Sequence, residues 1–163
     1  MRLDYYSDRG RDLRTAFSVT SESGLPAALR GLVLDMAEKI DFHLGFTYNE
    51  RRKPSLIDVE GHIEPGRFVV LCGCSGCGKS TLLRCINHLI PEFYEGELTG
   101  VCRIDGNDIS GLRIGEVGKR VASVFQDPRA QFFTVNSSSE LAFGLENFGL
   151  SHDEIVERVN EGF

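Results

Sequence analysis

Residues 73–81 read Gly-Cys-Ser-Gly-Cys-Gly-Lys-Ser-Thr (GCSGCGKST), and the reading of the whole chain starts from them. Gly73, four variable residues, then Gly78, Lys79 and Ser80 complete a phosphate-cradle pattern. Glycines let the backbone curl so that successive N–H groups point inward at phosphate oxygens. The start of a helix adds partial positive charge. Lys79 brings a full charge toward the β and γ phosphates of a nucleotide. The Ser80 hydroxyl is offered to Mg²⁺, a cation that keeps most of its waters and takes few protein ligands. Thr81 can donate to the α phosphate. Cys74, Ser75, Gly76 and Cys77 fill the variable positions and contribute to the cradle through their backbone.

The flanking sequence places this loop between a strand and a helix. "RFVVLCG" (67–73) precedes it, a continuous apolar run that predicts a strand covered on both faces. "KSTLLRCINHLI" (79–90) follows it and predicts a helix that Pro91 stops. Upstream, Ile40, Phe42, Leu44, Phe46 and Tyr48 alternate with Asp41, His43, Gly45 and Thr47, the period-two signature of a strand with one buried face. "SLIDVEGHIEPG" (55–66) predicts a second short strand. Downstream, "GVCRIDGNDI" (100–109) predicts a strand entering an Asp-Gly turn, and "KRVASVFQ" (119–126) another strand. Two helices are announced by capping boxes, Ser137 with Glu140 and Ser151 with Glu154, the first ending at Gly149. Strands that alternate with helices around a loop of this kind indicate an α/β arrangement.

Residues 1–38 differ in character from residues 39–163. The first two dozen are polar and without period, and "SGLPAALRGLVLDMAEK" (23–39) predicts a short helix. We expect residues 1–38 to be an N-terminal extension, partly disordered or one short helix, ahead of a domain over 39–163. Met36 offers an internal start, which would make the extension dispensable.

The composition is that of an ordinary soluble protein: 163 residues, 41% hydrophobic and 26% charged. A net charge of -6 argues against a nucleic-acid coat. No apolar run approaches the roughly 20 residues that cross a bilayer, and the N-terminus lacks the apolar core of a secretory signal, so the expectation is a cytoplasmic chain. Of the five cysteines, Cys72, Cys74 and Cys77 crowd around the loop. A metal clamped there would occupy the anion site, so free thiols in a reducing compartment are expected. Cys77 stands beside the helix start and two residues from Lys79, and its alkylation is expected to block nucleotide binding, with ATP-Mg²⁺ protecting; a buried, inert thiol is the other reading.

"GCSGCGKSTLL" together with "VFQDPRAQFF" (124–133) resembles the nucleotide-binding domain of an ABC transporter over roughly residues 40–163. The resemblance implies a P-loop NTPase fold, ATP and Mg²⁺ as cofactors, and a role for three outlying regions. Tyr48, 25 residues before Gly73, stands where the family stacks an aromatic ring on adenine; an inward-facing strand residue is the other reading. Gln126, 47 residues after Lys79, stands where the Q-loop glutamine touches Mg²⁺ and the attacking water, and Asp127-Pro128 force an extended exit there. Phe132 and Phe133 would face a transmembrane transporter subunit or pack a helical subdomain. "PEFYEGELTGVCRIDGNDI" and "QFFTVNSSSELAFGLENFGL" further resemble the ATPases of energy-coupling factor importers, which take up vitamins or transition-metal ions. A second ABC ATPase subunit, identical or different, would complete the nucleotide sandwich, and the chain would lie on the inner face of the membrane through its partners.

Residues 1–163 contain no "LSGGQ"-like signature, no four-apolar-then-Asp-Glu strand after Gln126 and no switch histidine beyond it; His43, His62 and His88 lack ligand-like spacing and His152 lies too early. Hydrolysis needs an acidic residue on Mg²⁺ and an oriented water. The expectation is therefore a chain truncated before the signature and Walker B strand, which binds ATP-Mg²⁺ but does not turn it over alone. In the family the strand bearing that acidic residue neighbours the loop strand, so the isolated chain is expected to be marginally stable, with an unpaired edge. The alternative is a non-catalytic nucleotide-binding or regulatory module docked on a transporter. A GTPase or small-molecule kinase is disfavoured by the lack of an Asn-Lys-x-Asp motif.

Overall fold

The computed structural model describes residues 3–5, 16–20, 39–125 and 127–162. The chain falls into two compact units, Met1–Arg120 and Val121–Phe163.

The first unit holds two sheets. Strands β3 (Ile40–Tyr48), β4 (Leu56–Ile63), β6 (Gly96–Ile104) and β7 (Asn107–Asp108) form an antiparallel sheet in the order β4-β3-β6-β7. The alternation expected over 40–48 is realised: Phe42, Leu44 and Phe46 are buried while His43 between them is exposed. Cys102 and Ile104 of β6 supply the neighbouring core, and the two strands stay in register from Ile40↔Ile104 to Tyr48↔Gly96. β6 begins four residues earlier than the strand read from the sequence, because "GELTG" pairs with β3 rather than looping. Asp105 (φ 50°) and Gly106 (φ 76°) make the expected Asp-Gly turn, both in the left-handed region that a type I′ hairpin demands.

The second sheet orders β1 (Leu3–Tyr5), β2 (Ala16–Thr20) and β5 (Phe68–Cys72) as β1-β2-β5, again antiparallel. Here the sequence reading needs correction. Strands occur at 3–5 and 16–20, within residues that show no clear period. The loop strand β5 is not covered on both faces: Phe68 is 66% exposed and Cys72 is exposed. A continuous apolar run encodes burial between two layers, and among the described residues β5 has one ladder partner, β2. The helix expected over residues 23–39 lies largely outside the described residues.

Helix α1 (Lys79–Ile86) follows the loop and buries Thr81, Leu82, Cys85 and Ile86. It ends five residues before Pro91, earlier than expected. His88 takes a left-handed backbone (φ 63°), and the Asn87 side chain accepts from Leu89 N at 3.2 Å, closing a local turn. The short α2 (Leu89–Glu92) follows, and it is interrupted at Ile90, which takes an extended backbone (φ -103°, ψ 125°) ahead of Pro91. Leu112 and the four-residue α3 (Ile114–Val117) complete this unit, with Val117 fully buried.

The second unit contains a 3-10 turn (Pro128–Gln131), α4 (Ser137–Asn147) and α5 (His152–Glu161). Of the strand expected at 119–126, the described residues 119–125 form none. In its place, the Gln131 side chain acts as a one-residue ladder: its Oε1 accepts from Phe125 N (3.0 Å) and its Nε2 donates to Ser123 O (3.3 Å). The cap of α4 is Asn136, accepting from Ser139 N at 2.8 Å, and not Ser137. Glu140 turns back to accept from Phe133 N, Thr134 N and Thr134 Oγ1. The second box is realised, with Ser151 N and Oγ both donating to Glu154 Oε2 at 2.9 and 2.7 Å. Among the described residues no helix is long and apolar enough to cross a membrane.

Candidate functional site

The loop between β5 and α1 is shaped by two glycines. Gly76 (φ 79°) and Gly78 (φ 96°) both occupy the left-handed region. At Gly78 a side chain is excluded twice over: a Cβ would lie 2.6 Å from Ser55 O and 3.0 Å from Leu56 Cδ2. That close approach presses the loop against the start of β4. Gly78 is also the N-cap of α1, with no side-chain cap, and Leu82 N bonds Gly78 O at 2.9 Å. The amides of the first turn therefore face the loop, and no acidic residue in that turn competes for them.

Lys79 is folded back over the loop. Its Nζ donates to Gly73 O (2.9 Å), Cys74 O (2.7 Å) and Cys77 Sγ (3.4 Å), which holds the ammonium over the loop. Ser80 is exposed in the first turn, whereas Thr81 is buried.

Facing the loop is the turn between β3 and β4. Arg51, Arg52, Lys53, Pro54 and Ser55 on one side and Gly76 and Cys77 on the other line a cleft of about 360 Å³. Three adjacent cations at the edge of an amide-rich loop make an electropositive recess in a chain of net charge -6. The Ser55 Oγ is buried without a hydrogen-bond partner on the protein, a polar atom in want of one. The sequence reading missed this wall. "RRK" at 51–53 was visible, but only the hairpin brings it to the loop, 20 residues downstream.

Tyr48 is brought to the same place from β3. Its hydroxyl lies 3.2 Å from Thr81 Oγ1, and Arg84 Nη1 donates to it at 3.2 Å. Its half-buried ring meets Phe46 edge-on at 4.7 Å, and the Arg51 guanidinium lies 5.5 Å from its centre. The structure thus places Tyr48 against Thr81 and Arg84 of α1, the helix into which the loop runs. Gln126 lies outside the described residues. Its neighbours in the second unit leave an apolar surface, with Phe132 65% and Phe133 73% exposed and Phe133 stacked on Phe143 at 4.9 Å.

All five cysteines are free. Cys85 and Cys102 are buried, and burial pushes their thiols up to about 12 and about 11. Cys72 and Cys74 are exposed, and Cys77 is half-buried.

Comparison with known proteins gives this geometry its class. Residues 56–162 match the ABC transporter family, and the chain belongs to it. Its fold is accordingly the P-loop NTPase domain of that family. An ABC transporter ATP-binding protein, as it is named, of Treponema denticola is 44% identical over 119 residues, 73% of this chain and 24% of the relative. Similarly named proteins of Methanosarcina mazei and Caldanaerobacter subterraneus subsp. tengcongensis are 43% and 39% identical over 71% and 78% of this chain, and 19% and 23% of their own lengths. The chain spans about a quarter of the length of the curated relatives it matches. The family match begins at Leu56 of β4, so Tyr48 and the Arg51–Lys53 wall stand before it.

Proposed function

We propose that this chain carries the ATP-binding site of an ABC-type importer, at which nucleotide binding is coupled to uptake through a membrane partner. Residues 39–163 are read as the N-terminal part of the ATPase domain and residues 1–38 as an extension. The observation that carries this reading is the Lys79 ammonium held against Gly73 O and Cys74 O, at the mouth of a loop whose glycines turn it toward a three-cation cleft. Backbone amides from Gly73 to Thr81 would take the phosphates, and Lys79 the β and γ oxygens.

The donor set also fits Mg²⁺. Ser80 places an exposed hydroxyl oxygen beside Lys79 at the helix start, a hard ligand of the kind that cation takes alongside waters and phosphate oxygens. Gln126 is the proposed second contact. Bound there, the ion would neutralise phosphate charge. Tyr48 would lie along the base and sugar side, where the Arg51 guanidinium now covers its ring.

The importer subtype, of energy-coupling factor type with a vitamin or transition-metal ion as cargo, is part of the same proposal and rests on the sequence resemblance. The exposed Phe132 and Phe133 support a transmembrane contact beside the Q-loop, and an ABC ATPase subunit is the expected second partner. Residues 1–163 supply phosphate-binding groups without the acidic residue that hydrolysis requires, so turnover depends on a carboxylate brought from outside this stretch.

Calorimetric titration of ATP-Mg²⁺ tests the core of the proposal. Lys79→Ala removes a charge-assisted contact and is expected to weaken binding roughly 10- to 100-fold. Unchanged affinity in a variant that keeps the native circular dichroism spectrum would overturn it.

A further inference from the structure

The phosphate loop carries a Cys-x-x-Cys pair, Cys74 and Cys77, in which the intervening residues are Ser75 and Gly76. The backbone has already brought the two cysteines into a tight turn: Cys77 N donates to Cys74 O at 3.4 Å. Gly76, the third residue of that turn, has φ 79°, and Ser75 before it is not in the left-handed region, which together identify a type II turn. The ends of such a turn lie within about 7 Å of each other, and a disulfide spans Cα separations of about 4.4–6.8 Å. A Cβ on Gly76 would meet nothing within 4 Å, so the space over the turn is open. Cys74 is exposed and Cys77 faces the cleft, so a small reagent can reach the pair.

We propose that Cys74 and Cys77 form a reversible disulfide that closes the phosphate loop, making this a modification site for low-molecular-weight disulfides and a redox control on nucleotide binding. The effect on binding rests on the reading in the preceding subsection; the disulfide itself does not. Both thiols belong to the residues that hold Lys79, one through its carbonyl and the other through its sulfur. Drawing the Cys77 sulfur to Cys74 takes it from the lysine ammonium and staples the turn whose amides must adjust to phosphate oxygens.

The chemistry balances with a disulfide R–S–S–R as oxidant. The deprotonated sulfur of exposed Cys74 attacks one sulfur of the reagent, forming Cys74–S–S–R and releasing a thiolate that is protonated to RSH. The Cys77 sulfur then attacks the Cys74 sulfur and expels the second RSH. Two cysteines lose two electrons and two protons, and the reagent gains both. A dithiol reverses the sequence. In a reducing compartment such a bond forms only transiently, as a sensor of oxidant rather than a structural staple. Cys85 and Cys102 are buried in the core and lie out of reach of the reagent.

Oxidised glutathione serves as the probe. The purified chain is incubated with it, digested and mapped by mass spectrometry, and ATP-Mg²⁺ affinity is measured before oxidation, after it and after dithiothreitol. The expected result is a Cys74–Cys77 bridge, at least a tenfold fall in affinity, and recovery on reduction. Cys72→Ser should show the same fall. The double variant Cys74→Ser/Cys77→Ser, which lacks both sulfurs, should show no difference between its own oxidised and reduced forms, whatever its reduced affinity. A Cys72–Cys74 bridge, glutathione adducts alone, or a Cys74–Cys77 bridge that leaves affinity unchanged would each overturn the proposal. Should the reduced chain bind no ATP, the nucleotide reading fails, and the disulfide map still decides whether the pair closes.

Discussion

Strand β3 is paired along both edges, to β4 and β6, whereas β5, which delivers the phosphate loop, has β2 as its one partner among the described residues. The first strand buries Phe42, Leu44 and Phe46; the second leaves Phe68 two-thirds exposed. Both are apolar and both were legible as strands. They differ in where their neighbours come from. β3 finds its partners within 40–104, across a hairpin turn and one crossover, and its alternation specifies which face is covered. β5 carries an uninterrupted apolar run suited to burial on both faces, and here it meets an antiparallel partner from residues 16–20. A strand's own sequence encodes its appetite for burial, not the identity of the strand that satisfies it. The loop from Gly73 to Gly78 is thus mounted on the less supported of the two sheets. What steadies it is its contact with the better supported one, through Ser55 and Leu56 against Gly78.

The largest test of this contrast is truncation in each sheet. Phe46 is 1% exposed and packs edge-on against Tyr48, so Phe46→Ala should cost about 3–5 kcal/mol in urea unfolding. Val70→Ala, at a half-covered position of β5, should cost about 1 kcal/mol. Equal costs would mean that β5 is covered by something its present neighbours do not supply.

The next test bears on the contact between the sheets. Gly78→Ala combines a left-handed backbone with a Cβ 2.6 Å from Ser55 O, and should cost about 1–3 kcal/mol while also weakening ATP-Mg²⁺ binding. Gly76→Ala has the same backbone conformation but open space, and should cost about 1 kcal/mol. If the two variants unfold at the same urea concentration, the Ser55 contact does not brace the loop.

How far the site could be read from sequence obeys the same division. Gly73 to Thr81 form a contiguous element whose pattern is local, a loop running into the first turn of α1. Ser151 with Glu154, and Asp105 with Gly106, are equally local and were equally readable. The basic wall was not, since Arg51–Lys53 acquire their meaning from a hairpin that sets them opposite Gly76. The strand expected over 119–126 is absent from residues 119–125 for a related reason: a strand needs a ladder partner, and Gln131 satisfies Phe125 N and Ser123 O instead. At α4 two residues competed for one cap, and Asn136 prevailed because Glu140, the reciprocal half of the expected box, bonds Phe133 and Thr134. The end of α1 was hidden because the left-handed position just after it is held by His88, and no glycine marks it in the sequence.

The smallest expected effect lies at the outer edge of the better supported sheet. His62 of β4 bonds Asp41 of β3 across the strands and Glu64 beside it, and these bonds, the Asp41 one foremost, raise its pKa above 6.5. The His62 bond in turn lowers Asp41 below 3.8, with Lys39 at 3.5 Å adding to it. The two signs define a window. A raised histidine contributes stability that is complete below pH 6.5 and lost as pH rises through its folded value, while a lowered aspartate contributes stability that is complete above pH 3.8 and lost as pH falls through its folded value. The pair therefore supports the fold most between about pH 4 and 6.5, and progressively less toward alkaline pH. Both side chains are solvent-exposed and screened, so the effect on melting is on the order of a degree. Melting curves of the wild type and His62→Gln at pH 5.5 and 8.5 should show the wild type losing more on going alkaline, with the excess shrinking in high salt. A variant whose melting temperature falls as steeply as the wild type's would place the pH response elsewhere, with His43 and its partner Asp58 the next pair to remove.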